Sequence, residues 1–407
     1  MNSLDKKYSL RELIIYFLRL GTTGFGGPVA LVNYMHRDLV EKKKWIDEDE
    51  YKEGLALAQL APGPLAAQLC IYLGFVDYGI MGATLCGLAF IIPSFIMVVL
   101  IGIAYKLYGG LPMMQSIFYG VGAAVTGIII MSSFKLTTKS VSKLEVSAMQ
   151  KNWLLWIFYF AALIYTIITQ REEVMIFIAA GIIYMLIKHP PSSLTPNPSP
   201  KERGIDAHNR QSVKKSGIGI LFLTAGFMQF EWATLGQIAW FFTKAGAFVF
   251  GSGLAIVPFL HGGVVNEYHW LNEKQFLDAV AVAMITPGPV VITVGFIGYL
   301  VAGFPGACVA AVATFLPCYL FTILPAPYFK KIAKNLSIKY FVEGITAAVI
   351  GALAGAVVIM ATRSVVDVPT AVIATSVIII LIRFKKVQEP QIILAAAVIG
   401  ILLKMIL

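Results

Sequence analysis

The stretch Leu60-Ala61-Pro62-Gly63-Pro64 is followed 225 residues later by Ile285-Thr286-Pro287-Gly288-Pro289. The same offset extends upstream, where Phe17-x-x-x-Gly21-x-x-x-Phe25-Gly26 recurs as Phe242-x-x-x-Gly246-x-x-x-Phe250-Gly251. Without gaps, about 15 of the 48 positions from residue 17 to residue 64 are identical to their partners. One residue is then lost, and an offset of 224 relates the rest of the two copies. The chain therefore contains one structural unit twice.

The composition places these two units in a membrane. Of the 407 residues, 58% are hydrophobic and 13% are charged, whereas a soluble domain has about 25% charged residues. Apolar runs long enough to cross a hydrocarbon layer of about 30 Å recur at 79–104, 114–134, 338–361 and 389–407. We predict an all-α polytopic membrane protein with two inverted-topology repeats, broken helices and about 12–13 membrane segments.

Composition also divides the chain into parts. We predict a first repeat at 1–188 and a second repeat at 232–407. Residues 189–216 are rich in Pro, Ser and charge, which predicts a flexible cytoplasmic linker. Residues 217–231 form a short apolar segment that links the linker to the second repeat. The net charge of +10 arises from Lys and Arg in short connecting loops, so it does not indicate a nucleic-acid partner.

Loop charge predicts the topology. The basic loop of the first half is 135–152, and those of the second half are 328–339 and 383–389. If basic loops are cytoplasmic, the two halves have opposite orientations. An odd number of crossings must then separate them, and 217–231 is the candidate for the extra crossing.

The polar stretch at 36–53 leaves two alternatives open. Simple crossings place it outside, although its residues 36–52 include five Lys and Arg residues that six acidic residues balance. Alternatively, the segments around Gly26-Gly27-Pro28 and Pro62-Gly63-Pro64 are re-entrant hairpins. Arms of about 10 residues would span about 15 Å, enough to reach mid-membrane and turn. This second arrangement puts 36–53 inside and leaves every later crossing unchanged.

The Pro-Gly-Pro segments carry the predicted chemistry. A Pro in a helix interior costs about 3 kcal/mol, and in lipid the freed carbonyls find no water. Such a break is expected beside a cavity. Pro64 and Pro289 suit the first position of a new helix, so the amides of 65–67 and 290–292 would form anion sites. The alternative is that these breaks are packing kinks in ordinary helices.

Side chains near the breaks complete the predicted site. Arg19 and Lys244 occupy matching positions in membrane segments, where a cation usually faces a cavity; the alternative is snorkelling to the interface. The substrate-binding residues that we predict are Arg19, Gly26, Gly27, Pro28, Gln59, Pro62, Gly63, Pro64, Lys244, Gly251, Ser252, Thr286, Pro287, Gly288 and Pro289.

Three carboxylates are candidates for carrying coupling protons. They are Glu53, its partner Asp278, and Glu343, which is predicted to be the most membrane-embedded carboxylate of the chain. The alternative for these groups is a role as solvated loop charges or helix caps. His36 matches His261 and Glu48 matches Glu273, and the same two interpretations apply to them.

The motifs of enzymes and metal sites are absent from the sequence. It has no H-E-x-x-H, G-x-S-x-G or Walker pattern, and its four cysteines form no C-x-x-C. We predict no catalytic residue, no metal and no cofactor. Two copies of an apolar unit that Gly and Pro interrupt are typical of a secondary transporter with its site between the repeats.

Specific motifs then resemble a known family. Phe25-Gly26-Gly27-Pro28, Trp45, Leu57 to Pro64 and Tyr72-Leu73-Gly74 together resemble the chromate ion transporter family in its long, two-repeat form. The second copy is looser, and Gly253 stands where the first repeat has Pro28.

The resemblance implies a multi-pass protein of the bacterial inner (plasma) membrane that exports chromate and so confers chromate resistance. It also implies coupling to the proton motive force, with a sulfate-like dianion as a related ligand. The partners expected are this dianion, protons and the lipid bilayer, with a homodimer as one assembly open to the chain. The alternatives are a carrier for sulfate or another oxyanion, and a passive anion channel.

Overall fold

The computed structural model describes most of both repeats. The described residues are 8–25, 27–109, 112–141, 146–170, 173–189, 232–248, 250–251, 253, 256–329, 335–365, 367–384, 387 and 389–406. The predicted linking segment at 217–231 and all but the first residue of the predicted linker lie outside them.

Helices make up nearly all of the described first half. Their order is α1 (Leu10–Thr23), α2 (Gly27–Met35), a π-helix (His36–Lys42), α3 (Glu48–Leu60), the two-residue strand β1 (Gly63–Pro64), α4 (Leu65–Tyr108), α5 (Pro112–Ser140), α6 (Val146–Lys151), α7 (Trp153–Thr169) and α8 (Val174–Lys188).

The second half repeats this order, which confirms the predicted all-α fold. It consists of α9 (Trp232–Ala247), the two-residue strand β2 (Phe250–Gly251), α10 (Ile256–His261), a π-helix (Gly262–Glu267), α11 (Glu273–Ile285), a 3-10 helix (Val290–Ile292), α12 (Thr293–Ile323), a 3-10 helix (Ala326–Tyr328), α13 (Leu336–Ser364), α14 (Val368–Arg383) and α15 (Glu389–Ile406).

Long apolar helices confirm a polytopic membrane protein. Within the described residues, four helices are long and apolar enough to cross a membrane, namely Leu65–Tyr108, Met114–Ser140, Val290–Tyr328 and Leu336–Arg363. The shorter apolar helices are Trp153–Thr169, Val174–Lys188, Val368–Arg383 and Glu389–Leu403.

The helix α4 is two arms joined by a sharp reversal. Gly79 has φ 60° and ψ −151°, a backbone conformation that only glycine adopts at little cost. The two arms then run side by side, because a Cβ atom on Gly74 would lie 2.5 Å from the carbonyl oxygen of Gly82. The matching reversal in α12 occurs at Gly303, with φ 64° and ψ −155°. Each repeat therefore holds a helical hairpin, and the second arm of that hairpin is the first full membrane crossing of the repeat.

Contacts at the start of the chain identify the first segments as re-entrant. Tyr8, just before α1, stacks on Trp45 with ring centroids 5.0 Å apart. The Tyr78 hydroxyl donates to the Tyr8 carbonyl over 2.6 Å, and the Tyr8 hydroxyl contacts Asp77. The start of α1, the loop before α3 and the reversal of α4 thus lie together. With 14 residues, α1 is about 21 Å long, too short to cross a hydrocarbon layer of about 30 Å, and the chain comes back to the same side through α2 and the π-helix.

The connecting segment of the second repeat lies on the other side. Three membrane-crossing helical segments lie between the Trp45 loop and Gln170, namely the second arm of α4, then the whole of α5, then α7. Three is an odd number of crossings, so the loop and Gln170 lie on opposite sides. The Arg363 guanidinium donates to Gln170 over 2.6 Å and to Glu273 over 2.8 Å. It also donates to Asn266, in the π-helix of the second repeat. The two connecting segments therefore face opposite sides, as inverted repeats require.

The Phe-x-x-x-Gly motif of each repeat is explained by close helix packing. A Cβ atom on Gly21 would overlap the carbonyl oxygen of Phe90 in α4, and one on Gly246 would overlap that of Thr314 in α12. Close approach through small residues is typical of helix packing in membranes. The first helix of each repeat thus rests directly on the returning arm of the hairpin.

Candidate functional site

The two halves meet at their helix breaks. The strands β1 and β2 pair in parallel, with Gly63 opposite Phe250 and Pro64 opposite Gly251. On the symmetry-related side, the Gly288 amide donates to the Gly24 carbonyl over 2.9 Å. The Pro-Gly-Pro break of each repeat therefore pairs with the glycine-containing break of the other repeat. We call this arrangement of paired helix breaks the crossing, which is distinct from the crossing of a membrane by a helix.

One polar side chain packs against each Pro-Gly-Pro break from the opposite repeat. The Ser94 hydroxyl lies 2.8 Å from the Pro287 carbonyl oxygen and 3.2 Å from that of Gly21. A Cβ atom on Gly63 would lie 3.1 Å from the Sγ atom of Cys318. Ser94 and Cys318 are related by the offset of 224, and each follows a proline. Their shared position after Pro was the sequence signal that could have identified them.

The helix after each break begins one residue later than the prediction. Pro64 is the N-cap of α4, with φ −67° and ψ 113°, and Pro289 is the N-cap of the 3-10 helix before α12. Neither cap supplies a side-chain hydrogen bond. The first amides of α4, at Leu65 to Ala67, are buried in the protein. The prediction that Pro64 and Pro289 take the first helical position is therefore wrong, although the helix starts lie where it placed them.

Gln68 is a buried amide beside the first break. Its Nε2 atom donates to the Pro62 carbonyl over 2.9 Å, which satisfies an oxygen that the break sets free. Its Oε1 atom is buried and has no hydrogen-bond partner in the described part of the chain. A buried polar atom without a partner is costly, so Gln68 marks a place where a further polar group would be stabilising.

The two predicted cations lie in different surroundings. Arg19 is exposed and lines a cavity of about 780 Å³ that also reaches Gly24 and Phe25. Lys244 is half-buried, and its Nζ atom lies 5.6 Å from the ring centroid of Trp240. The structure therefore brings Arg19, and not Lys244, to a cavity beside the crossing.

The remaining predicted site residues divide into three groups. Gln59 is exposed on α3, and the Thr286 hydroxyl donates to Val282 within its own helix over 2.6 Å. Pro28 lies in α2 behind Gly27, whose φ of 73° favours glycine. Gly26 and Ser252 lie outside the described residues.

Glu389 is a carboxylate that sequence reasoning missed. Its Oε2 atom lies 3.8 Å from the position of a Cβ atom on Gly27. When ionised, this carboxylate opposes an anion at the start of α2. The crossing is therefore a better location for an anion than the helix start at Gly27.

Burial separates the three carboxylates that were predicted to carry protons. Asp278 is 2% exposed and accepts a hydrogen bond of 2.6 Å from the Tyr105 hydroxyl of the first repeat. Glu53 lines an acidic cavity of about 580 Å³ that contains Glu50 and two other acids. Glu343 lies 3.9 Å from Lys339, one helical turn away, and its side chain is 36% exposed. Asp278, and not Glu343, is thus the buried carboxylate among them.

A His–Glu contact occurs at the same place in both repeats. Nε2 of His36 lies 2.9 Å from Glu48, and Nε2 of His261 lies 2.7 Å from Glu273. Hydrogen bonds from His36 and Lys52 lower the pKa of Glu48. Partial burial opposes ionisation of Glu273, yet hydrogen bonds from His261 and Arg363 hold the pKa of that carboxyl below its usual value. These contacts fasten each connecting segment to the helix that follows it.

The geometry defines a class of protein. Two inverted repeats whose helices break at a common point are typical of a membrane transporter. The sequence profile of chromate transporters matches residues 11–185 and 236–401, which covers both repeats. The chain belongs to the chromate transporter family.

Individual relatives agree with this assignment. A chromate transport protein of Cupriavidus metallidurans is 59% identical over 97% of this chain and 93% of its own length. A probable chromate transport protein of Synechococcus elongatus is 55% identical over 97% of this chain and 96% of its own length. An uncharacterized transporter of Methanocaldococcus jannaschii is 28% identical over 99% of this chain and 97% of its own length. No solved structure matches the chain.

Proposed function

We propose that the protein exports chromate across the bacterial inner membrane and so confers chromate resistance. The proposal is supported by the family and by the chromate transport proteins that resemble nearly the whole chain. The observation that carries it is the crossing, where the helix breaks of both repeats join inside the bilayer.

The crossing supplies the groups that a tetrahedral dianion needs. The uncapped amides after Pro64 and Pro289 are hydrogen-bond donors at helix starts, where the helix dipole favours negative charge. Arg19 contributes a cation in the cavity that reaches Gly24. We propose that chromate oxygens occupy the helix starts when the two halves separate slightly at Ser94 and Cys318.

Alternating access follows from how the halves are joined. The described pairing at the crossing consists of the β1–β2 contact and the hydrogen bond from Gly288 to Gly24. Rocking of one repeat against the other about this point would open the site to each side in turn. Because the repeats are inverted, a pseudo-two-fold axis relates the opening on one side of the membrane to the opening on the other side.

We further propose that Asp278 carries the coupling proton. Its buried carboxylate lies at the interface of the halves, because Tyr105 belongs to the first repeat. A carboxylate that crosses between a buried and a solvated environment binds a proton in the first and releases it in the second. Glu53 at the matching position is already in an open acidic cavity, so the pair differs in solvation.

Asp278→Asn is expected to uncouple transport from the pH gradient. The amide keeps the size and the hydrogen bond with Tyr105 but cannot exchange a proton. We expect residual chromate flux that no longer responds to an imposed pH gradient in vesicles. The matched control is Glu173→Gln, at an exposed helix cap, which should respond as the wild type does. A normal gradient response in Asp278→Asn would assign coupling to another group.

The test of the function is chromate uptake into inside-out vesicles with an imposed pH gradient. Uptake that the gradient drives, and that an uncoupler stops, is expected. Flux that an uncoupler does not affect would indicate a passive channel. Sulfate uptake without chromate uptake would indicate a carrier for a different oxyanion, and no uptake of either would contradict the proposal.

A further inference from the structure

A basic cavity runs along α1 in the first repeat. Its volume is about 780 Å³, and it is lined by Glu12, Ile15, Tyr16, Arg19, Leu20, Thr23, Gly24, Phe25, Tyr34, Arg37, Asp38, Lys42, Lys43 and Trp45. We propose that this cavity, here called the vestibule, is a loading site for small oxyanions and that the described residues of the second repeat fill the equivalent place. The inference rests on the proposed transport of an oxyanion and identifies where that ion first binds.

The charges of the vestibule favour an anion. Four cationic side chains face two carboxylates in its lining. Asp38 pairs with Arg37 at 3.0 Å and with Lys42 at 3.5 Å. Lys43 makes no ion pair within 4 Å among the residues that the structure describes, and its Nζ atom lies 3.8 Å from the ring centroid of Trp45. An excess of positive charge therefore remains for a ligand.

The second carboxylate is engaged at the start of α1. Glu12 accepts hydrogen bonds from the amide and the hydroxyl of Ser9 at the start of α1. Arg19, like Lys43, makes no ion pair within 4 Å in the described ranges. Arg19 and Lys43 are thus two cations of the vestibule that are available to oxyanion oxygens.

An unpaired buried hydroxyl lies behind the wall of the vestibule. The Tyr16 hydroxyl is buried and has no hydrogen-bond partner in the part of the chain that the structure describes. Tyr16 lines the vestibule together with Arg19, one turn further along α1. Because the hydroxyl is shielded from the cavity, Tyr16 contributes its ring to the wall of the vestibule, and the donors that face an anion there are the cations.

The vestibule leads to the crossing. Its outer residues, Lys42, Lys43 and Trp45, lie at the connecting segment, and its inner residues, Gly24 and Phe25, lie at the break. The distance along α1 from Glu12 to Gly24 is about 18 Å at 1.5 Å per residue. Because the Gly24 carbonyl accepts from Gly288, an anion at the inner end is next to the crossing.

The second repeat fills the equivalent place with aromatic rings. Tyr16 and Lys43 of the first repeat correspond to Phe241 and Tyr268 of the second. The ring centroids of Phe241 and Tyr268 are 5.7 Å apart. Asp38 corresponds to Gly263, and a Cβ atom there would overlap the Phe241 ring. The loss of the side chain at this position therefore lets Phe241 occupy the space that the vestibule takes in the first repeat.

Loop charge assigns the vestibule to the cytoplasmic face. Two crossings, the second arm of α4 and then α5, separate the Trp45 loop from the basic end of α5 at Lys135 and Lys139. Both therefore face the same side, which the positive-inside rule makes cytoplasmic. A basic loading site on this face, opposite a closed aromatic cluster, suits an exporter that collects dilute anions from the cytoplasm.

The test is the KM of chromate uptake into inside-out vesicles for the double variant Lys42→Gln/Lys43→Gln. At low ionic strength we expect KM to rise about tenfold with kcat nearly unchanged, because the lysines concentrate the ion and do not take part in translocation. In about 1 M salt, where the Debye length is about 3 Å, the difference should nearly disappear. Lys42→Arg/Lys43→Arg should restore KM.

The control and a second measurement keep the inference separate from the proposed function. Lys52→Gln removes an exposed lysine of the same connecting segment that pairs with Glu48, and it should leave KM unchanged. An unchanged KM in Lys42→Gln/Lys43→Gln would overturn the vestibule while leaving chromate transport intact. If wild-type vesicles take up no chromate, equilibrium dialysis of chromate against the purified proteins tests the vestibule directly. Equal binding by the wild type and the double variant would overturn the vestibule. Weaker binding by the double variant would support it.

Discussion

Arg19→Ala is expected to abolish chromate resistance while the amount of protein in the membrane stays normal. Arg19 lies beside Gly24 in the same cavity and makes no ion pair within 4 Å among the described residues. Removing one partner of a hydrogen-bonded charge pair costs about 2–5 kcal/mol, and about 2.7 kcal/mol corresponds to a rate about 100-fold lower. Initial rates of chromate uptake into inside-out vesicles would measure this loss.

Two further variants sharpen the Arg19 experiment. Arg19→Lys keeps the charge and reproduces the residue type of Lys244, so it should retain part of the activity. Arg11→Ala removes an exposed arginine from the same helix, away from the cavity lining, and should behave as the wild type. Full activity in Arg19→Ala would remove Arg19 from the site and leave the anion to backbone amides alone.

Gly288→Ala is expected to inactivate the transporter and to lower its level in the membrane. Gly288 has φ +97°, which L-residues rarely adopt, and a Cβ atom there would overlap the Ser94 hydroxyl. Overpacking in a tight interior costs about 1–3 kcal/mol, and the unfavourable backbone adds to this cost. Loss of the hydrogen bond from Gly288 to Gly24 would then open the crossing. Quantitative immunoblotting and chromate uptake would record both effects.

A second substitution separates crowding from backbone strain. Combining Gly288→Ala with Ser94→Gly removes the overlapping hydroxyl, so part of the protein level in the membrane should be recovered. The backbone strain at residue 288 stays, so the recovery should be incomplete. Gly236→Ala is the matched control, because no atom lies within 4 Å of a Cβ at that glycine. Normal transport by Gly288→Ala would show that the close contact at Ser94 is not needed for function.

The repeats and their breaks could be predicted from the sequence because they depend on local patterns. The matched Pro62-Gly63-Pro64 and Pro287-Gly288-Pro289 motifs located both helix starts to within one residue. Apolar length likewise predicted the spans. Loop charge could not decide whether 36–53 lies inside, since acidic residues balance its lysines. That decision came from the contact of Tyr8 with Trp45 across the re-entrant hairpin.

Contacts between the repeats were beyond the sequence for a physical reason. An internal repeat shows which positions are equivalent, whereas packing between halves joins positions that are not equivalent, such as Gly63 and Phe250. Glu389 was missed because it lies in the last helix and touches the first repeat at Gly27 only through tertiary structure. The site assignments for Arg19, Asp278 and the helix starts remain predictions for the experiments above.

The crossing has a consequence for the origin of this architecture. Each broken segment obtains its backbone partner from the opposite half, so a lone repeat would leave a Pro-Gly-Pro amide and a glycine carbonyl without partners in lipid. A single-repeat ancestor could meet that requirement only as an antiparallel dimer with copies inserted in both orientations. Fusion of two such genes would fix one copy in each orientation and let the two entrances diverge, one toward lysine and arginine and the other toward phenylalanine and tyrosine.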